Sequence, residues 1–252
     1  ISVDLRIVPP EDFGNLLQVV ALNKGLTCRQ LMVPGGKSPD NNKAVDCALQ
    51  SFSRAKELKP DDPRGDALYV QTLFDADRYD ALAKMYNDQL QGNPANMAAI
   101  NGLITVYSRS NDWREALRWT TRRADLETHD AEAQYGVGVM IHNQLYQKGG
   151  ADKSAYNPWP DPNIDYKKHP ELTKVPPPFS SDDIEGEERI KLADQGIAYL
   201  QKALAVRPTY REAVIYINLL YRQKALGYLE QPEQWQINID LAEQWHKKAL
   251  EM

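Results

Sequence analysis

Few places in this 252-residue chain carry residue types that could do chemistry. Asp161, Asn163 and Asp165 alternate oxygen donors as the opening of a calcium loop does, because a hard cation takes carboxylate and amide oxygens from one curved segment. The pattern then stops: Tyr166 occupies the place of the sharp-turn glycine and Leu172 that of the closing bidentate carboxylate. A turn of helix-breaking residues is the expectation there. Gly35-Gly36-Lys37-Ser38 has the look of the end of a phosphate loop, in which glycine amides wrap a phosphate and the lysine meets its oxygens. Leu31 stands where the leading glycine belongs and Pro39 follows at once, so a solvated turn is expected instead.

The remaining reactive groups are scattered. His129, His142, His169 and His246 include no pair one helical turn apart of the kind that holds zinc. His142 is expected to face a groove, and His246 to be a partly buried packing residue. Cys28 and Cys47 are read as two unpaired thiols, with pairing as a staple across the first unit the alternative. Neither has the local histidine that marks a nucleophile, and no Gly-x-Ser-x-Gly elbow occurs. The residues therefore predict no metal, no cofactor and no enzyme.

The elements that would position these groups follow a 34-residue echo. Pro60, Pro94, Thr128 and, after a long interruption, Pro208 are its anchors. Thirteen residues after them stand Leu73, Tyr107, Ile141 and Tyr221; twelve before them stand Ala48, Leu82, Ala116 and Gly196; eight before them stand Phe52, Tyr86, Thr120 and Leu200. Small residues recur where two helices would touch and large ones where one would knob into the next, the division of labour a helical hairpin needs. A fixed period of this length is the mark of stacked supersecondary repeats.

These positions resemble the tetratricopeptide repeat (TPR) family. Ala48, Phe52, Ala55 and Pro60 match its small, aromatic, alanine-like and terminating-proline positions best, and the third unit departs at Thr120, Arg123 and Thr128. The resemblance covers most of residues 11–252 and implies an all-α, right-handed solenoid of about five helical hairpins: 11–60, 61–94, 95–128, 129–208 and 209–252. Residues 1–10 are expected as an extended tail. A first helix from Glu11 with Phe13, Leu16, Leu17, Val20 and Ala21 on one face should stop near Gly25, leaving insertions at 25–42 and 149–183. Asp61, Asp62 and Pro63 should cap and open the third helix.

Family geometry further implies a concave groove of Gln71, Phe74, Asn101, Thr105, Arg109, Tyr135, His142, Leu219 and Arg222. The family's clamp for a C-terminal carboxylate is missing, since Ala67, Gln71, Gly102, Glu132 and Gly136 occupy its places. From the residues themselves, Tyr156, Trp159, Tyr166 and Phe179 in the proline-stiffened insertion either dock a partner or pack back on the helices. Trp235, Leu241, Trp245 and Leu250 would leave an apolar end face for self-association or assembly.

A net charge of −5 offers no cationic surface for phosphates, so nucleic acid is not an expected partner. No stretch reaches the roughly 20 apolar residues of a membrane span. The opening at Ile1, without Met or a charged-then-apolar leader, favours processing on export to a periplasmic or secreted location, with the cytoplasm open. The functional expectation is a noncatalytic scaffold or adaptor for a partner protein or peptide. The alternative is an accessory subunit that docks through its ends and convex face.

Overall fold

The computed structural model describes residues 10–252; the expected tail at 1–10 lies almost wholly outside them. Among the described residues there are ten α-helices, a π-helical turn at Tyr146–Gly150 and two short 3-10 turns, at Pro170–Leu172 and Leu226–Tyr228, and no strand. The α-helices are α1 (Pro10–Gln30), α2 (Pro39–Leu58), α3 (Pro63–Asp75), α4 (Tyr79–Gly92), α5 (Met97–Arg109), α6 (Trp113–Leu126), α7 (Ala131–Leu145), α8 (Gly186–Val206), α9 (Arg211–Ala225) and α10 (Pro232–Leu250). The chain divides into two compact units, one ending at Asp112 and one running Trp113–Met252.

The 34-residue period is visible in backbone hydrogen bonds as well as in side chains. The amides of Lys59, Asn93, Glu127 and Arg207 each donate to the carbonyl four residues back, closing α2, α4, α6 and α8. Three residues on, Asp62, Asn96, Asp130 and Tyr210 donate to the carbonyls of those same four residues. Pro60, Pro94, Thr128 and Pro208 sit inside the four identical turns. Within hairpins the recurrence holds too: Asp77 and Asn111, 34 positions apart, both take positive φ (53° and 60°). Arg78 and Asp112 then donate to Leu73 and Tyr107. Short polar side chains tolerate this left-handed conformation, and it ends α3 and α5 with their last carbonyls satisfied.

Capping follows local sequence. Asp62 accepts from the Arg64 amide at 3.0 Å with Pro63 opening α3, and Asn96 and Asp130 cap α5 and α7 in the same way. In the first unit α1 packs on α2, α2 on α3, α3 on α4 and α4 on α5, around Ala48, Phe52 and Ala55, then Leu73, Leu82 and Val106. In the second, α7 packs on α6, α8 and α9, and α9 on α10. Ile141, Leu145, Leu200, Ile217 and Leu220 form its core. Gly138 and Gly196 let large side chains close in: a Cβ on Gly138 would meet the Leu200 side chain at 2.4 Å, and one on Gly196 would meet Leu220 at 2.7 Å.

The first hairpin departs from expectation. α1 does not stop at Gly25 but runs on to Gln30, and α2 begins at Pro39, so the expected 25–42 insertion shrinks to the turn at 31–38. The reason is packing: a Cβ on Gly25 would lie 2.4 Å from the Phe52 ring, so this glycine gives α2 room where a helix stop was read. The buried stripe of α1 is Gln18, Ala21, Leu22, Gly25 and Cys28, whereas Val20 is exposed. The expected free thiols are also corrected, because Cys28 and Cys47 form a disulfide joining α1 to α2. Finally, His246 is exposed and does not fill a packing position.

Candidate functional site

Of the sequence-selected groove residues, Gln71, Phe74 and Arg109 line one feature in the first unit and His142, Leu219 and Arg222 a separate one in the second, whereas Asn101, Thr105 and Tyr135 line neither. In the first unit, Gln71, Phe74 and Arg109 line an open groove of about 770 Å³ together with Asp61, Asp66 and Asp75. The Arg109 guanidinium sits 4.9 Å from the centre of the Phe74 ring, an arrangement in which the ring's negative face meets the cation. Gln71 is held by Arg29 at 3.1 Å, and Arg29 also pairs with Asp75. Asn101 and Thr105 are exposed on α5, with the Thr105 hydroxyl turned back to the Asn101 carbonyl at 2.9 Å; neither lines the groove.

In the second unit, His142, Leu219 and Arg222 meet the insertion. They line a pocket of about 500 Å³ with Tyr146, Tyr156, Leu226, Trp235 and Ile239, between α7, α9, α10 and the start of the insertion. The lining is mostly aromatic and aliphatic. Burial holds the His142 imidazole below its ordinary pKa, against a hydrogen bond with the Asn143 side chain that favours the charged form; Tyr216 meets its ring edge-on at 5.2 Å. The Arg222 guanidinium is neutralised by Glu243 at 2.6 Å. The pocket thus pairs an apolar floor with a few polar groups and no uncompensated charge, the usual make-up of a site that takes an apolar ligand group. Tyr135 lies outside it, packed on Tyr210 and Tyr216 with ring centres 4.9 and 5.5 Å away, and burial raises its phenol to about 12.

The insertion is shaped by its base. Gly149 has φ of +92°, and a Cβ on Gly150 would lie 2.2 Å from the Gln223 amide oxygen, so this pair of glycines lets the chain leave α7 against α9. Arg189, on the buried stripe of α8, ties the two ends together. It donates to the carbonyls of Ile184 (2.6 Å) and Lys148 and to Gln223 Oε1 (2.7 Å). Its burial lowers its pKa to about 10, opposed by the Asp183 charge. Lys153, itself buried, pairs with Asp183 at 3.4 Å and lies 4.1 Å from the Phe179 ring centre.

The insertion aromatics therefore pack mostly inward. Tyr166 is buried with its hydroxyl accepting from the Asp161 amide at 2.9 Å, which removes it from the residues open to a partner. Tyr156 and Phe179 are half-buried against Ala225, Leu226, Leu229 and Trp235, and the Tyr156 hydroxyl donates to the Lys174 carbonyl at 3.1 Å. Trp159 is half-buried. Asp161 and Asp165, read above as the start of a failed cation loop, accept from the amides of Asn163 and Lys167 in local turns. No group of three or more His, Cys, Asp or Glu placed to hold a metal occurs among the described residues.

The apolar end face is corrected in part. Trp235 is buried beneath the insertion, Trp245 packs half-buried against the second unit's core, and Leu241 is half-buried. Leu250 is exposed, as is Ile237, which sequence reading passed over. Tyr146 and Ile239 in the pocket and the Arg189 clamp were likewise missed. For Arg189 a signal existed, since it falls in register with Ala193, Gly196, Ile197 and Leu200 on the apolar stripe of α8. A lone charge on such a stripe requires buried partners.

No protein-family model matches the chain, and no curated protein matches it. Among solved structures it is similar to a MamA protein at TM-score 0.44 and 15% identity, over 94% of this chain and 92% of that one. MamA from Desulfovibrio magneticus RS-1, residue 41 to the end, gives 0.41 and 12%, over 93% and 94%. YrrB, described as a TPR protein with an unusual peptide-binding site, gives 0.41 and 15%, over 96% and 94%. The repeated turns and caps, rather than these likenesses, carry the description of residues 10–252 as helical with TPR-like hairpins.

Proposed function

We propose that this chain is a noncatalytic protein-interaction scaffold that takes an apolar side chain of a partner protein or peptide into the pocket of its second unit. One observation carries the reading: His142, Leu219 and Arg222, picked as groove residues, and Tyr156, picked as an insertion contact, line the same pocket. An apolar floor with a neutralised arginine at hand suits an anchor residue whose flanking backbone bonds to polar groups, and buried anchors of this kind dominate interface affinity. The open groove of Gln71, Phe74 and Arg109 supplies a second contact surface in the first unit.

The test is isolation of the native protein with its companions, followed by mass spectrometry, using wild type and Leu219→Glu. A charge placed in the pocket should abolish capture of the partner that wild type retains, while a folded far-UV spectrum is kept. Retained capture sinks the reading. The accessory-subunit alternative draws on the exposure of Ile237 and Leu250 along α10. It predicts the reverse pattern, with capture lost in Leu250→Glu and unchanged in Leu219→Glu, Asn101→Ala, Arg109→Ala and Tyr135→Ala.

A further inference from the structure

A third concave surface lies on the other side of the insertion, and Phe179 alone of its lining residues stood out in the sequence. The segment Val175–Pro178 runs past the start of α8 and the short 3-10 turn Leu226–Tyr228, and encloses a groove of about 970 Å³. Its apolar lining comes from the three prolines, Phe179, Ile190, Leu226 and Leu229. Leu226 and Leu229 belong to the cluster that also holds Phe179 and Trp235, so this wall rests on a packed base. Gly227 makes the close approach possible, because a Cβ there would lie 2.6 Å from Ile190 and 3.0 Å from the Gly186 carbonyl.

The polar lining is one-sided. Glu185, Glu187 and Glu230 are the charged residues of the groove, and it includes no lysine, arginine or histidine. Glu187 is paired with Lys191 at 2.8 Å. Glu185 and Glu230 are exposed, and neither side chain has a hydrogen-bond or ion-pair partner among the described residues. Pro176, Pro177 and Pro178 have no N–H, so their backbone contributes acceptors only. The carbonyls of Val175–Pro178 accept no hydrogen bond within the described chain. Val175 at 89% exposure leaves the strap open to solvent at one end.

Carboxylates and unbonded carbonyls above an apolar floor fit a ligand that supplies donors, positive charge and apolar surface together. We propose that this groove docks a basic amphipathic segment of a partner protein, its lysine or arginine side chains meeting Glu185, Glu230 and the strap carbonyls, and its apolar side chains lying on Ile190, Leu226 and Leu229. Lysine and arginine suit such a surface because they offer only donors, and their aliphatic stems cover apolar wall while the charged head stays at the rim. The assignment rests on the scaffold reading and adds to it the chemistry of one partner surface. It also gives the insertion a two-sided role, one face closing the neutral pocket and the other making an acidic groove.

The experiment measures fluorescence anisotropy of the full chain with a labelled peptide that alternates lysine or arginine with leucine. A control peptide carries glutamate at every basic position. The basic peptide should bind and the acidic one should not. The double variant Glu185→Gln/Glu230→Gln should weaken binding on the order of tenfold, since two partly exposed charge pairs contribute modestly each. Asp46→Asn/Asp80→Asn, which removes the same charge from exposed sites in the first unit, should leave binding within about twofold. Equal loss in the two double variants would show attraction to net charge alone and overturn the assignment, as would absent binding or equal binding of both peptides. Partner capture by Leu219→Glu separates the two proposals: if Leu219→Glu abolishes capture while the peptide assay fails, the scaffold stands and only the basic-segment groove falls.

Discussion

Gly136 and Gly138 lie two positions apart in α7, and alanine at each should move stability in opposite directions. Both are interior to the helix Ala131–Leu145, so replacing glycine gains the same helix propensity at each, about 1 kcal/mol. At Gly136 nothing lies within 4 Å of the new methyl, so the gain stands alone. At Gly138 the methyl would lie 2.4, 2.6 and 2.9 Å from three carbons of Leu200, a side chain with no exposed surface. The nearest of those carbons is the branch point, which rotation about χ2 does not move aside, so Leu200 must leave its χ1 rotamer in a packed core or α8 must shift. Overpacking of this kind costs about 1–3 kcal/mol. With three carbons overlapped the upper half applies, and the net loss is about 1–2 kcal/mol after the propensity gain. All five tryptophans belong to this unit, so the assay is thermal unfolding followed by tryptophan fluorescence. About 1 kcal/mol corresponds to roughly 2–4 °C for a chain of this size. Gly136→Ala should melt higher by about that amount, and Gly138→Ala lower by roughly 2–8 °C. If Gly138→Ala melts at or above wild type, the close approach of α7 to α8 is not what this structure describes.

Three further outcomes follow from the same contacts. The Cys28–Cys47 bridge closes a loop across a sequence separation of 19, for which loop entropy gives roughly 3 kcal/mol; Cys28→Ser/Cys47→Ser should lower the urea midpoint of the far-UV signal, and an unchanged midpoint would contradict the bridge. Arg189→Leu leaves the buried Ile184 carbonyl and the buried Gln223 side-chain oxygen without their donor, each costing about 1–3 kcal/mol, while the Lys148 carbonyl keeps the Ile184 amide. It should speed trypsin cleavage at Lys167, Lys168 and Lys174, read by mass spectrometry. For His142, burial puts the folded pKa below the ordinary imidazole value of 6.5, so the unfolded chain binds the extra proton first. Its contribution is complete above that value and is lost as pH falls through it toward the folded pKa. Melting temperature should therefore drop more steeply below pH 6.5 in wild type than in His142→Gln, and parallel curves would remove His142 from the pocket.

The repeat was legible in the chain because its determinants are local. The turn at each anchor is closed by bonds spanning three and four residues, and Asp62, Asn96 and Asp130 cap the helix that begins just after them. Ala48, Leu82, Ala116 and Gly196, read as contact positions from spacing alone, are all buried. Local chemistry also explains the failed cation loop, whose aspartates bond to amides two residues on. Gly25 misled because a glycine in a helix has two meanings, a stop or a space for a neighbour. Only the position of Phe52, 27 residues later, selects between them.

The insertion shows the same limit more fully. Its glycines, prolines and aromatics announced a break in the helical pattern, but not which rings would turn inward. Tyr166, Tyr156 and Phe179 went to buried or half-buried places because Arg189 and Lys153, on different elements, converge on the base of the insertion and draw its ends together. The pocket and the acidic groove depend on that convergence, since each is walled by the insertion, by the adjoining helix α7 or α8, and by residues much further along the chain in α9, α10 or the turn between them. Period, caps and turns are settled by neighbours along the chain, whose contacts need no fold to exist. Pocket walls are settled by side chains that compete for the same buried surface, and that competition has an outcome only once the helices have packed.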